Sequence, residues 1–147
     1  MSHVATIDIQ VTDLDALDKA CTRLGLELVR GQTAYRWWGS SEGDYPLPEG
    51  FTAEDLGKCD HAITIPGNRR CFEIGVVRRR DGKAGWNLLW DFFGHRGRMM
   101  SDLVGKQGEK LKQAYATVAA TRQATKLGYR VREQQLADGR VKLICTR

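Results

Sequence analysis

Three prolines, three histidines and the absence of any long apolar run are the first things to note in this 147-residue chain. The prolines stand at Pro46, Pro48 and Pro66, leaving residues 67–147 free of the one residue that breaks both helices and sheet ladders. No stretch approaches the ~18 apolar residues that cross a bilayer, and no basic region precedes an apolar segment near the start. The expectation is a soluble, cytoplasmic protein with no membrane contact. Cysteine is scarce and unclustered: Cys21, Cys59, Cys71 and Cys145 show no x-x spacing. Without a secretion signal they read as free thiols in places that suit a small hydrophobe. The chain also lacks a glycine-rich phosphate loop, a serine in an elbow, and a cysteine followed by a suitable base. No cofactor is implied, and the chain reads as a non-enzymatic binding module.

What is present is charge, and it is segregated. Residues 1–60 hold five Lys/Arg and eleven Asp/Glu, a balance of −6, whereas residues 61–147 hold eighteen and seven, a balance of +11. A split of this kind points to an anionic partner for the C-terminal part, either nucleic acid or an acidic protein surface. The competing explanation is that solvated helices and hairpins simply carry Lys and Arg.

The length suits one α+β domain spanning residues 1–147. Ala5, Ile7, Ile9 and Val11 alternate with polar residues, which predicts a strand with one buried face. Thr12 is the expected cap of a following helix, whose stripe is Leu14, Leu17, Cys21 and Leu24 and whose end is Gly25. Two short strands follow, Leu26 to Arg30 and Thr33 to Trp38. From Gly39 to Gly57 periodicity disappears, and the glycines, prolines and five acids predict an irregular acidic excursion over the surface. His61 to Ile65, the stretch around Phe72, Ile74 and Val76, and Trp86 to Phe93 predict three further strands. The last is apolar on both sides and so belongs inside a sheet. A long helix is expected from near Met99–Asp102 to Leu127, with a break plausible where Gly105 and Gly108 fall. The chain closes with a hairpin turning at Asp138-Gly139. These elements predict a single antiparallel sheet with two helices packed mainly on one face.

Several segments also resemble a known family when taken in order. They are Met1-Ser2-His3 before a strand, Glu73-Ile74-Gly75-Val76, Trp90-Asp91-Phe92-Phe93-Gly94, Lys112-Gln113-Ala114-Tyr115-Ala116, and Gly128-Tyr129 through Asp138-Gly139-Arg140-Val141-Lys142-Leu143. The set is similar to the domain of unknown function 1257 family, which includes a conserved plastid reading frame. Cys59-Asp60-His61-Ala62-Ile63 to Pro66-Gly67 looks like its longer bacterial branch. The resemblance covers nearly the whole chain and implies fold boundaries, not a mechanism. Thr117 and Val118 stand where plastid forms tend to carry an aromatic and a histidine, which argues against a catalytic histidine there.

Candidate functional residues fall into four groups. Arg130, Arg132, Arg140 and Lys142 alternate with Val131, Val141 and Leu143, so all four should form one exposed cationic face for nucleic acid or another anion. Trp37 and Trp38 are adjacent and cannot both face the same side of a strand, so one is a candidate exposed aromatic that could stack a base. The other aromatics, Trp90 among them, read as core. Asp91 and Glu73 on adjacent strands are the carboxylates an enzyme in an aromatic pocket would use. The plainer reading is an acid paired with an arginine such as Arg36 or Arg98. Cys59-x-His61 with Cys71 contains zinc-ligand residue types but no fourth ligand nearby, so no metal is expected. Met1-Ser2-His3 would chelate copper only if Met1 were retained. The protein-binding alternative is an adaptor or complex subunit, with the 39–57 loop and the long helix as contact surfaces.

Overall fold

Alternating side chains place apolar residues on both faces of the main sheet, and the rest of the chain is arranged to cover them. The computed structural model describes residues 2–147. In chain order the elements are β1 (Val4–Val11), α1 (Leu14–Arg23), β2 (Glu27–Arg30), β3 (His61–Thr64), β4 (Ile74–Arg78), β5 (Trp86–Asp91), α2 (Gly94–Val104), α3 (Glu109–Lys126), β6 (Arg130–Gln135) and β7 (Val141–Thr146). The fold is α+β. Strands β1 to β5 form one antiparallel sheet in the order β1-β5-β4-β3-β2, and β6 and β7 form a separate two-stranded sheet. Strand β5 lies between β1 and β4, as its two apolar faces require: Leu88 and Trp90 point to one core, Leu89 to the other.

The first core lies between the sheet and the helices. Ile7, Val11, Leu28, Ile63, Ile74, Val76, Leu88 and Trp90 meet Leu17 and Cys21 of α1, Met100 and Val104 of α2, and Leu111, Tyr115 and Val118 of α3. Asp13, not Thr12, caps α1, its carboxylate accepting the Ala16 N–H at 3.1 Å. Thr12 and Asp13 instead donate their own amides to the Tyr115 hydroxyl at 3.0 and 3.2 Å, which locks α3 onto the start of α1. The long helix is divided where the glycines fall. Gly105 and Gly108 take φ of 96° and 78° between α2 and α3, and a side chain on Gly108 would meet Ile7 Cγ2 at 2.6 Å. The break lets α3 approach β1 closely.

The second core is where the structure departs most from expectation. Val4, Ala62, Val77 and Leu89 on the opposite sheet face are covered by Tyr35, Phe51 and Leu56, with Trp37 and Cys59 packed alongside. The acidic 39–57 segment is therefore not a simple surface excursion; it supplies Phe51 and Leu56, 7% exposed each, as a lid on the sheet. Residues 33–38 do not form the expected strand beyond an isolated bridge between Ala34 and Lys58. They cross the back of the sheet, and their amides bond to the Gly57 carbonyl and to carboxylate side chains instead of a ladder. The hairpin β6–β7 stands apart and leans on α3, where Val141 and Leu143 line a groove with Gln113, Ala116 and Thr117.

Candidate nucleic-acid interface

The register of the hairpin sets which residues share its outer face. Arg130 pairs with Thr146, Arg132 with Ile144 and Gln134 with Lys142, so Arg130, Arg132 and Lys142 project together. The alternate residues Val131, Glu133, Val141 and Leu143 occupy the other face, and Glu133 bonds Arg23 of α1 at 2.7 Å. All four predicted cations are exposed. Arg140, however, belongs to the turn and not to the ladder, and its guanidinium is held by Asp138 at 2.6 Å. Arg130, Arg132 and Lys142 make no ion pair among the described residues. The three ladder residues thus follow the alternation read from the sequence. Arg140 lies one residue beyond the ladder, where its carbonyl still accepts the Leu136 amide at 2.8 Å, and its guanidinium is engaged by Asp138.

The two buried carboxylates are structural anchors. Asp91 is fully buried and accepts three backbone N–H groups, from His3, Trp38 and Phe93, each at 3.1 Å. Glu73, 3% exposed, accepts the Arg36 amide at 2.9 Å and the Gln32 side chain at 3.1 Å, and pairs with the Arg36 guanidinium at 3.4 Å. Arg36 is one of the two expected arginines, and the acid it pairs with is Glu73. Both acids hold the segment 32–38 against the back of the sheet. An unpartnered buried charge would be prohibitively costly, and several N–H donors are what makes these tolerable. Neither carboxylate lines the grooves beside β1 or along α3.

Of the paired tryptophans, Trp38 is 51% exposed while Trp37 packs against the second core. Near the Asp91 carboxylate that takes the Trp38 amide, rings from three distant segments meet, which no local pattern in the sequence records. The His3 ring stacks on Tyr45 with centroids 4.6 Å apart and planes 25° from parallel, and meets the edge of Phe93 at 4.4 Å. Tyr45 in turn meets Phe92 edge-on at 5.5 Å. His3 also lies 3.5 Å from Asp44. Phe93 follows β5 as the residue before α2 and is 37% exposed, where the sequence placed it inside a strand. The available signal was Tyr45 itself, one of the two aromatic residues in the acidic 39–57 loop.

The Cys59, His61 and Cys71 set is not brought together. Cys59 precedes β3 and donates its thiol to the Gln32 carbonyl at 3.1 Å, and burial pushes its pKa up to about 12. The His61 Nδ1 accepts the Gly31 amide at 3.0 Å, and Cys71 lies beside Arg36 and Asn68. Among the described residues no three His, Cys, Asp or Glu side chains gather as metal ligands. The copper reading of Met1-Ser2-His3 depends on Met1, which lies outside the described residues. No described helix is long and apolar enough to cross a membrane. No family profile, curated protein or solved structure matches the chain.

Proposed function

We propose that this protein is a small non-enzymatic binding module whose basic C-terminal half engages an anionic partner, and that the partner is nucleic acid. The observation that carries this reading is the outward face of the hairpin, where Arg130, Arg132 and Lys142 stand exposed and unpaired among the described residues. Lys and Arg side chains that neutralise phosphates release counterions, which supplies affinity without sequence preference. The +11 balance after residue 60 extends the same field. Four free thiols, including exposed Cys145, favour a reducing cytoplasm as its location. Membership of the domain of unknown function 1257 family is proposed on the quoted segments alone.

The test changes Arg130, Arg132 and Lys142 together to Gln. Folding should be unaffected, because solvent-facing substitutions fall within about ±0.5 kcal/mol. Binding to short DNA and RNA should weaken across all sequences, and the log–log salt slope should flatten by roughly one for each phosphate no longer neutralised. If the unmodified protein binds no nucleic acid at low salt, the reading fails. The second reading is a protein-binding adaptor, favoured by Leu127, which is 59% exposed beside the hairpin. An apolar protein interface of that kind would persist at high salt.

A further inference from the structure

The backbone near the start of β1 is tied from three directions to one buried carboxylate. Asp91 is a fully buried carboxylate, and its three backbone donors come from three separate segments: the residue before β1, the loop after β2, and the turn from β5 into α2. Each donor residue, His3, Trp38 and Phe93, carries a ring. Trp38 and Phe93 are two of only four large hydrophobic residues exposed among those described, the others being Leu47 and Leu127. One buried carboxylate therefore fixes the backbone beneath the most exposed aromatic side chains of the protein. Supporting interactions of this kind preorganise a binding surface.

The neighbouring surface supplies cations. Tyr45 and Phe92, which join the same ring cluster, line with Trp90 a groove of about 560 Å³ that Lys106, Gln107 and Lys112 also line. Of the acids there, Glu109 is turned to the Gln107 amide at 2.9 Å, and Asp8 lies 3.6 Å from Lys112. Lys106 has no ion-pair partner among the described residues. Farther along, Gln113 of α3 and Arg140 of the hairpin turn line another groove.

We infer that the exposed rings Trp38 and Phe93, held at the backbone by Asp91, and the adjoining Tyr45 and Phe92, which share a groove with Lys106 and Lys112, form a stacking platform for unpaired bases, so that the partner is a single-stranded nucleic acid. This deepens the proposed function and rests on it. Exposed π-faces take bases of any identity while ammonium groups follow the backbone, a combination that tolerates sequence but requires bases free of pairing. A duplex presents its bases already stacked and paired, and gains nothing from these rings.

The experiment titrates a fluorescein-labelled 12-nucleotide single strand, and the blunt duplex of the same sequence, with the unmodified protein, Trp38→Ala/Phe93→Ala, and the hairpin Gln variant. The unmodified protein should prefer the single strand. The ring variant should lose about tenfold in single-strand affinity for each stacked base, with its salt slope and duplex affinity unchanged. The hairpin variant should weaken on both substrates with a flatter slope. Quenching of tryptophan fluorescence when oligo(dT) is added to the unmodified protein checks the same stacking without a substitution. Equal affinity of the ring variant and the unmodified protein for the single strand, together with no quenching, overturns the platform while leaving the basic hairpin reading in place. Absence of all binding at low salt overturns both.

Discussion

Tyr35 carries a phenol that is 3% exposed and whose hydroxyl makes no well-formed hydrogen bond. Burial pushes its pKa up to about 12, against a weaker opposing pull from the Gly57 amide. Such a hydroxyl costs free energy because it leaves water without a replacement partner. Its ring, in contrast, is needed, since it lies over Gly75, where an added Cβ would fall inside the ring's van der Waals envelope. Tyr35→Phe should therefore leave the melting temperature unchanged or raise it, whereas Gly75→Ala should destabilise by roughly 1–3 kcal/mol through overpacking. Denaturant melts of the two variants decide the matter. A large loss of stability in Tyr35→Phe would mean that the hydroxyl has a partner in solution. Neither effect is legible in the sequence, because Tyr35 and Gly75 lie far apart along the chain on segments that do not pair as strands.

At the scale of elements, the 39–57 segment shows how an irregular composition conceals a packing role. Glycine, proline and acidic residues correctly excluded a long helix or strand there, but they carried no information about which isolated apolar residues turn inward. Phe51 and Leu56 do so because Val77 and Leu89 present an apolar sheet face that needs a cover. Phe51→Ala should cost about 3–5 kcal/mol through the cavity it opens over that face, measured by chemical unfolding. A change below about 0.5 kcal/mol would return the segment to a solvated loop. The break between α2 and α3 belongs to the same scale and was legible, because two glycines three residues apart weaken any helix. What the sequence did not reveal is that Gly108 is also required by its close approach to Ile7.

Across the whole molecule, ion pairs and amide hydrogen bonds within and between the acidic and basic parts lower carboxyl pKa values. The Thr52 amide and Arg80 bring Asp55 from an ordinary 3.8 down to about 2; Arg30 lowers Asp15, Arg79 lowers Asp81, and the Gln107 amide lowers Glu109. A carboxyl with a depressed folded-state pKa contributes stability above its unfolded value and loses it as pH falls through the folded one. Thermal stability should therefore hold down to about pH 4 and decline toward pH 2. Asp55→Asn should show a shallower acid limb than the unmodified protein. Parallel curves for the two proteins would show that Asp55 gains nothing from Thr52 and Arg80 in solution.

The sequence alone determined the class of the regular elements that form, though it also expected a strand over 33–38 that does not, and it determined the antiparallel hairpin at the end, the helix break, and the outward direction of Arg130, Arg132 and Lys142. These depend on local periodicity and backbone preference, which a short window of residues contains. Tertiary structure alone decided that Asp91 and Glu73 serve as anchors, that Trp38 and not Trp37 faces solvent, and that His3, Tyr45, Phe92 and Phe93 meet. Those outcomes depend on which distant segments arrive at one place. Asp91 collects amides from residues 3, 38 and 93, and no local pattern records that they converge.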